Sequence, residues 1–175
     1  MEMKAASGRE LRWMKKIYLE AFPKSERKPF GMMKYRARQG TMELFVIKEE
    51  RRPVGLAITV LYQDLVLLDY FAIDRAVRGQ AYGSRALQLL KEHYKGKRFL
   101  LEIELLDDRA PNQEARIQRK HFYLKNGMKE TGLQVCVFQV PMEVLTDGSS
   151  VTYEENHELY RDSIGAFFAR KVTRL

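Results

Sequence analysis

The chain has 175 residues, of which 45% are apolar, so it is long enough for one domain, spanning residues 1–175, with a sizeable core. It contains neither an apolar leader at its N-terminus nor an apolar run of membrane length, and we therefore expect a cytoplasmic protein without membrane attachment. The net charge of +8 favours anionic partners such as cofactor phosphates, acidic substrates or nucleic acid, without choosing among them.

Cysteine and histidine usage narrows the possible chemistry. Cys136 is the only cysteine, which excludes an intramolecular disulfide and a cysteine-based metal cluster. The three histidines lack the spacing of metal ligands, so no metal site is predicted. A serine hydrolase is not indicated either, because the Gly-x-Ser-x-Gly elbow is missing.

Two helices are predicted in the N-terminal forty residues. The first begins at Ser7 or Gly8, carries apolar residues on one face and ends at Pro23. The second covers Glu26–Arg38, since its proline suits a first turn and Gly40 suits a helix exit. Basic residues are scattered over both helices. No known nucleic-acid-binding module accompanies them, so we interpret them as a solvated face and do not expect nucleic acid as a partner.

Three strands follow and form an antiparallel meander: Leu44–Ile47, Val54–Tyr62 and Leu65–Ile73. The helix Gly83–Lys95 then crosses the meander. The next strand, Phe99–Leu105, lies beyond this crossover and can run parallel to Leu65–Ile73. Two neighbouring parallel strands create a crevice at their carboxyl ends, which is where ligands bind in open α/β sheets.

The C-terminal third predicts a further helix that ends at Gly127, then strands Leu133–Val140 and Met142–Leu145. A capping box at Thr152–Glu155 opens a final apolar helix, which either closes the core or pairs with a second copy, so a homodimer is possible. The predicted fold class is α/β (α+β), with a single mixed, mostly antiparallel, twisted sheet of about six or seven strands flanked by helices.

The loop between Ile73 and the crossover helix is the main candidate site. A helix N-terminus presents unpaired N–H groups and a partial positive charge, and glycines let a ligand approach that backbone closely. Arg78 adds a guanidinium suited to phosphate oxygens. An ordinary strand-to-helix turn is the alternative interpretation.

Two motifs resemble those of the GNAT superfamily of N-acetyltransferases. The loop resembles that family's acetyl-CoA pyrophosphate loop, although Ala81 stands where glycine is commonest. The second motif, from Arg119 to Met128, resembles the family's helix that ends in Phe-Tyr, three residues, glycine and a hydrophobic residue. The cofactor-binding residues that the resemblance implies in the loop are Arg78, Gly79, Gln80, Ala81, Tyr82, Gly83 and Ser84.

The resemblance implies transfer of an acetyl group from acetyl-CoA to a primary amine of a small molecule or peptide, by direct attack. It implies that the two central parallel strands splay apart, and that backbone groups of Phe71, Ala72 and Ile73 bind the pantetheine arm between them. It also implies that Tyr123 donates a proton to the departing thiolate, for which a phenol with a reference pKa of about 10 is suited.

The base that takes the proton of the amine is a separate question. Glu102 and Glu104 alternate to one face of the strand across the crevice, so either could reach an amine directly or through water. We predict Glu102, which lies nearer the middle of the strand, as the catalytic base. A structural salt bridge to Arg116 or Arg119 explains a carboxylate in this strand equally well.

Two other functional classes remain open. A GNAT-like domain can bind acyl-CoA as a sensor or assembly module without turnover, although Tyr123 argues against this. A basic α/β protein could instead bind RNA or nucleotides through the Arg78 loop. The chain lacks the stacking aromatics of a recognisable RNA module, which weighs against RNA.

Overall fold

The computed structural model describes residues 1–175 and is built on one eight-stranded sheet with the order β1-β2-β3-β4-β5-β7-β6-β8. All neighbouring strands are antiparallel except β4 and β5, which are parallel. The strands are β1 Glu2–Ala5, β2 Met42–Glu49, β3 Arg52–Tyr62, β4 Leu65–Ile73, β5 Arg98–Glu104, β6 Lys129–Val137, β7 Val140–Thr146 and β8 Val172–Arg174. The predicted fold class is confirmed.

The sheet has eight strands rather than six or seven, because both of its edges are short strands that the sequence pattern does not reveal. β1 has four residues and β8 has three. Segments this short cannot display the alternation of apolar and polar residues from which strands are predicted. They form only by pairing with β2 and β6, respectively.

Six helices flank the sheet, and none of them is long and apolar enough to cross a membrane. They are α1 Gly8–Ala21, α2 Phe30–Arg38, α3 Tyr82–His93, α4 Gln113–Lys125, α5 Tyr153–Leu159 and α6 Ala166–Ala169. A capping box between Ser7 and Glu10 opens α1, and a second one between Thr152 and Glu155 opens α5, as predicted. A π-helical segment, Tyr160–Ile164, and a left-handed Gly165 interrupt the predicted single C-terminal helix.

The start of α2 differs from the prediction, and Pro29 explains why. We predicted a helix from Glu26, whereas the chain forms a short 3₁₀ turn, Lys24–Glu26, and begins α2 only at Phe30. Proline disfavours helical backbone in the residue that precedes it, so Lys28 cannot continue a helix into Pro29. The result is an extended connection between α1 and α2.

The sheet buries a separate apolar cluster on each face. α1, α2 and the C-terminal helical region cover one face, called here the α1 face, whose largest buried side chains include Met14, Tyr18 and Tyr160. α3 and α4 cover the other, called here the α3 face, where Leu87, Leu90 and Phe99 are buried. Burial of both sheet faces explains why β4 is an almost continuous apolar run.

β4 and β5 separate along their carboxyl-terminal halves. Their pairing runs from Leu65 and Arg98 only as far as Leu68 and Leu101. At the same level the register between β3 and β4 shifts, and Asp69 lacks a partner on β3. A bulge of this kind bends the strand and increases its twist. The consequence is an opening in the sheet, called here the strand opening, that begins at Asp69 on β4.

Candidate functional site

The loop that leads into α3 carries an uninterrupted series of unpaired backbone donors. The N–H groups of residues 79 to 84 donate to no acceptor in the protein, whereas Arg78 N–H donates to Arg75 O and Arg85 N–H to Ala81 O. These six donors lie at the end of β4, immediately beyond the strand opening. Unpaired donors at the N-terminus of a helix are an arrangement that suits an anion such as a pyrophosphate.

Two left-handed residues shape this loop. Gly79 has a φ of 83° and Ala81, the N-cap of α3, has a φ of 55°. Successive N–H groups in such turns converge on one point and create an anion-binding concavity. The Arg78 side chain is exposed and its Nε donates to Ile73 O at 3.3 Å, which holds the guanidinium group beside the end of β4. The predicted cofactor residues of the loop are therefore grouped in one place.

Substituting Ala81 with glycine is expected to stabilise the fold by about 0.5–1 kcal/mol. A left-handed backbone costs alanine roughly 1–2 kcal/mol. Glycine removes this cost, but it also raises the entropy of the unfolded chain, which cancels part of the gain. Urea unfolding measures the difference. Ala76→Gly is the matched control, because Ala76 lies in the neighbouring turn with a negative φ and should lose stability. Equal effects of the two substitutions would contradict this account.

Close packing links the loop to the helix that carries Tyr123. A Cβ atom on Gly83 would lie 3.3 Å from two ring atoms of Phe122, tighter than ordinary contact. The Phe122 ring stacks in turn on Phe71, with 6.5 Å between the ring centroids. The first turn of α3, the end of α4 and the open half of β4 therefore meet at one point. Glycine at position 83 permits this approach.

Tyr123 lies on the α3 face with 8% of its surface exposed, and its hydroxyl makes no hydrogen bond with any other protein group. Burial raises the pKa of the phenol to about 12, so the hydroxyl keeps its proton at neutral pH. The left-handed Gly127 ends α4, and Met128 N–H donates back to Tyr123 O at 3.0 Å. The side chain is thus fixed in position while its proton is uncommitted.

Phe71, Ala72 and Ile73 occupy the half of β4 that has lost its β5 partner. On one edge they still pair with β3, opposite Ala57, Leu56 and Gly55. Their other edge has no strand beside it, so its backbone groups are free to bind a ligand that enters the strand opening. The structure therefore brings these three residues to the edge of the opening.

Glu102 lies on the opposite side of the strand opening. Arg116 and Arg119, the salt-bridge partners considered for it, contact Glu104 instead. Asn156 Nδ2 donates to Glu102 Oε1 at 2.8 Å, and the Tyr160 hydroxyl donates to Oε2 at 2.6 Å. Burial raises the pKa of Glu102, against the lowering effect of these two donors. A carboxyl group with a raised pKa can exchange a proton closer to neutrality than an ordinary glutamate.

Glu104 is the residue that forms the salt bridges. Its carboxylate contacts Arg116 at 3.0 Å and Arg119 at 2.5 Å, and Asn112 donates to it at 3.1 Å. Burial acts to raise the pKa of Glu104, but these donors outweigh burial and hold the pKa below its usual range. Glu104 is therefore occupied as a structural anion, and it is a poorer candidate for a base than Glu102.

A buried ion pair that the sequence did not indicate lies beside Glu102. Lys28 Nζ contacts Asp69 Oδ1 at 2.6 Å, and the two side chains are only 4% and 6% exposed. The ammonium group also faces the rings of Tyr70, Tyr160 and Phe138, at 5.2 to 5.8 Å from their centroids. In the sequence, the only local indication of this ion pair is Asp69, a charged residue inside the apolar run of β4.

Hydrogen bonds from the strand hold the connection between α1 and α2 over this cluster. The Tyr70 hydroxyl donates to Glu26 O at 2.7 Å and accepts from Lys28 N–H at 3.1 Å. The Tyr18 hydroxyl donates to Lys28 O at 3.0 Å. The connection therefore forms the wall of the strand opening on the α1 face. Of the aromatic residues of α2, Phe30 is buried in the core and Tyr35 is exposed.

Two acceptor atoms in this cluster have no donor. Asp69 Oδ2 and Asn156 Oδ1 are both buried and make no hydrogen bond. Unsatisfied buried acceptors are uncommon and costly, because each has lost its water without replacement. A ligand that supplies N–H donors would satisfy them, and an amine is such a ligand. The chemistry of the α1 face therefore suits an amine, whereas that of the loop suits an anion.

Two cavities lie away from these residues. One of about 490 Å³ lies between β6, the start of α5 and the C-terminus. Another of about 240 Å³ lies near Lys120, which contacts Glu130 at 2.5 Å and Glu143 at 3.0 Å. Lys120 is the only cation in the lining and pairs with both carboxylates, so the second cavity keeps an excess of negative charge. The predicted site is instead the opening between β4 and β5, where the strand pairing ends at Leu68 and Leu101.

Comparison with known proteins decides the family. A family model described as the acetyltransferase (GNAT) family matches residues 11–128, which include the anion-binding loop and the Tyr123 helix. The chain belongs to the GNAT acetyltransferase family. No curated protein matches the sequence. Members of this family use acetyl-CoA, and the loop of unpaired donors fits its pyrophosphate, so acetyl-CoA is the cofactor, as predicted.

Solved structures with the same fold span nearly the whole chain. A GNAT-family protein from Bacteroides thetaiotaomicron has a TM-score of 0.75 and 21% identity, over 95% of this chain and 99% of its own. The ribosomal-protein-S18-alanine N-acetyltransferase from Escherichia coli has a TM-score of 0.63 and 17% identity, over 86% and 95%. An aminoglycoside 6'-N-acetyltransferase complexed with coenzyme A has a TM-score of 0.57 and 13% identity, over 87% and 100%.

Proposed function

We propose that this GNAT protein is an N-acetyltransferase that transfers the acetyl group of acetyl-CoA to a primary amine. The observation that carries the proposal is the series of six unpaired N–H groups at residues 79 to 84, directly beside the strand opening. Acetyl-CoA supplies the reactive thioester. Backbone groups and side chains around the opening bind the cofactor, polarise its carbonyl and transfer the protons.

Binding of the cofactor rests on the loop and on β4. The six N–H groups and Arg78 hold the negative charges of the pyrophosphate. The pantetheine arm binds along the unpaired edge of Phe71–Ile73 through backbone hydrogen bonds, in the way that an additional strand pairs with a sheet edge. One backbone N–H of this edge is in a position to polarise the thioester carbonyl.

Tyr123 acts as the general acid. Its uncommitted hydroxyl donates a proton to the leaving sulfur, and its neighbour Phe122 packs on Gly83 of the cofactor loop. A phenol whose pKa is raised to about 12 stays protonated until negative charge develops close by, which restricts donation to the moment of transfer.

Glu102 acts as the base on the opposite side of the opening. An aliphatic ammonium has a reference pKa of about 10.4, so it must lose a proton before it can attack a thioester. Asp69 Oδ2 and Asn156 Oδ1 are free to accept hydrogen bonds from the amine, and Glu102 lies beside Asn156 to take the proton. The raised pKa of Glu102 brings its basicity nearer to neutral pH.

Replacing Glu102 with glutamine tests this assignment through pH dependence. Turnover of the wild-type protein should rise with pH as Glu102 loses its proton. This rise should occur at a pH above the ordinary pKa of glutamate, and it should be missing from the pH profile of the variant. Because the folded pKa exceeds the unfolded one, the wild-type free energy of unfolding should also fall as pH rises through this window. Glu102→Gln should flatten that decline, whereas the exposed Glu92→Gln should not. Unchanged profiles would exclude Glu102.

A comparison of anions tests the cofactor site itself. Acetyl-CoA or CoA at a hundred times its dissociation constant should add about 2.7 kcal/mol of apparent stability and raise the thermal midpoint. ATP and a short RNA are the anionic controls. A rise with acetyl-CoA and CoA alone supports the proposal, and thiol release with a panel of amines then measures turnover. Equal rises with all anions would favour a nucleotide- or RNA-binding protein, and binding without thiol release would favour an acyl-CoA sensor.

A further inference from the structure

The positive charge of the chain is concentrated in one segment. Residues 9–38 contain ten basic and three acidic residues, a net charge of +7 against +8 for the whole protein. This segment comprises α1, the 3₁₀ turn and α2. Its basic residues are Arg9, Arg12, Lys15, Lys16, Lys24, Arg27, Lys28, Lys34, Arg36 and Arg38.

Most of this charge is not neutralised within the protein. Of the ten cations, only Lys28 and Lys16 have a carboxylate partner, and the contact between Lys16 and Glu20 is exposed and 4.0 Å long. The other eight cations of the segment form no ion pair. In the whole chain thirteen cationic groups, including the amino terminus, are paired with a carboxylate. Glu10 does not compensate them, because it binds Lys4 and Lys48. The segment therefore presents an uncompensated basic surface.

The basic surface borders the strand opening on the side of the buried acceptors. Tyr70 holds the backbone of Glu26 and Lys28 against β4, and Lys28 reaches down to Asp69. Lys24 and Arg27 therefore lie in the connection that forms the wall of the strand opening, and the exposed cations of α1 lie on the helix that precedes this connection. Any acceptor that enters here passes through a positive potential.

This potential discriminates between classes of amine. A small polycation would be repelled by the net positive charge of the segment, and the interior offers it only one cluster of acceptors. An amine on a polyanion would be attracted and concentrated. A nucleic acid also carries negative charge, but it is a poorer acceptor than a polypeptide because its backbone has no aliphatic amine. Stacking of its bases is also limited, since Tyr35 is the only strongly exposed aromatic residue of the segment.

We propose that α1, the 3₁₀ turn and α2 form a docking surface for an acidic polypeptide whose own primary amine is the acetyl acceptor. The proposal rests on the proposed acetyltransferase function, and it narrows the acceptor to a protein or peptide with acidic residues near its reactive amine. Docking at exposed charges governs association more than chemistry. The surface therefore determines kcat/KM for the acceptor and leaves kcat and acetyl-CoA binding unchanged.

The test compares peptides that each contain one lysine, flanked by glutamate, glutamine or arginine. Thiol release measures acetylation, and fluorescence anisotropy of labelled peptides measures binding independently of turnover. For the wild-type protein, kcat/KM should decrease from the glutamate to the glutamine to the arginine peptide. The preference should weaken as salt rises toward about 0.15 M and beyond, because exposed charges are then screened.

Two triple variants with equal loss of charge identify the surface. Arg12→Gln/Lys15→Gln/Lys24→Gln removes three exposed cations from it, and should lower kcat/KM for the glutamate peptide about tenfold with kcat unchanged. The control, Lys95→Gln/Lys97→Gln/Lys125→Gln, removes three exposed cations from the ends of α3 and α4 and should have little effect.

The outcomes separate this proposal from the one on which it rests. Equal acetylation of all three peptides, or equal loss in both triple variants, would overturn the docking surface and leave the acetyltransferase function standing. Selective binding of the glutamate peptide through the three residues without any acetylation would overturn the proposed function and retain the surface. Tighter binding of a short RNA than of the glutamate peptide, lost in the first triple variant, would replace the polypeptide by nucleic acid.

Discussion

Replacing Tyr123 with phenylalanine is expected to lower kcat about 10²–10⁴-fold while leaving acetyl-CoA affinity nearly unchanged. The substitution removes only the hydroxyl, which makes no hydrogen bond with the protein, and keeps the ring that packs in the α3-face core. Stability should therefore be unchanged or slightly higher. Steady-state kinetics of thiol release give kcat, and the acetyl-CoA-dependent thermal midpoint gives the affinity.

Tyr94→Phe is a suitable control for this experiment. Tyr94 is buried on the same face, but its hydroxyl bonds Thr59 Oγ1 at 2.6 Å and Glu43 Oε2 at 2.5 Å, which lie on β3 and β2 and not on the two strands that border the opening. Its loss should lower the free energy of unfolding by about 1–3 kcal/mol without changing kcat. The two tyrosines should thus show opposite patterns. An unaltered kcat in Tyr123→Phe would remove this residue from the mechanism.

Replacing Lys28 with methionine is expected to destabilise the protein by about 3–5 kcal/mol at neutral pH. Methionine keeps the length of the side chain but leaves the Asp69 carboxylate buried without its counterion. That carboxylate already has one oxygen without a donor, so no other group of the protein compensates the loss. The free energy of unfolding from urea titration measures the effect.

The double variant Lys28→Met/Asp69→Asn separates the ion pair from packing. An asparagine at position 69 carries no charge to leave unpaired, so the double variant should recover most of the stability that the single variant loses. A loss below about 1 kcal/mol in Lys28→Met would indicate that water reaches Asp69 and that the pair is not sealed. A double variant as unstable as the single one would attribute the loss to packing around Lys28.

The parts of the site that the sequence predicted are those that depend on neighbouring residues. The anion-binding loop follows β4 directly and precedes α3, so glycine positions and helix start are visible over about ten residues. Tyr123 is placed by the helix end at Gly127 for the same reason. The strands of the meander were predicted within a few residues of their observed bounds, because each carries an apolar run between polar turns.

The parts that were missed depend on contacts between distant segments. Lys28 and Asp69 are 41 residues apart, and their contact requires both the bulge in β4 and the extended connection that Pro29 imposes. Glu102 contacts Asn156 and Tyr160, which are more than fifty residues away. No periodicity or local motif encodes such pairs. The alternative considered for Glu102, a salt bridge to Arg116 or Arg119, is wrong for that residue, because both arginines contact Glu104.

The hydrogen bonds from Tyr18 and Tyr70 to the connection between α1 and α2 reach only main-chain atoms, namely Glu26 O, Lys28 N and Lys28 O. Any residue type except proline supplies the same atoms. The side chains at positions 24, 25 and 27 can therefore be exchanged without moving the backbone that borders the reaction centre. Divergent descendants of this protein could acquire a different acceptor by surface substitutions alone, with the chemistry left intact, and the same positions are the natural choice for a designed library of altered specificity.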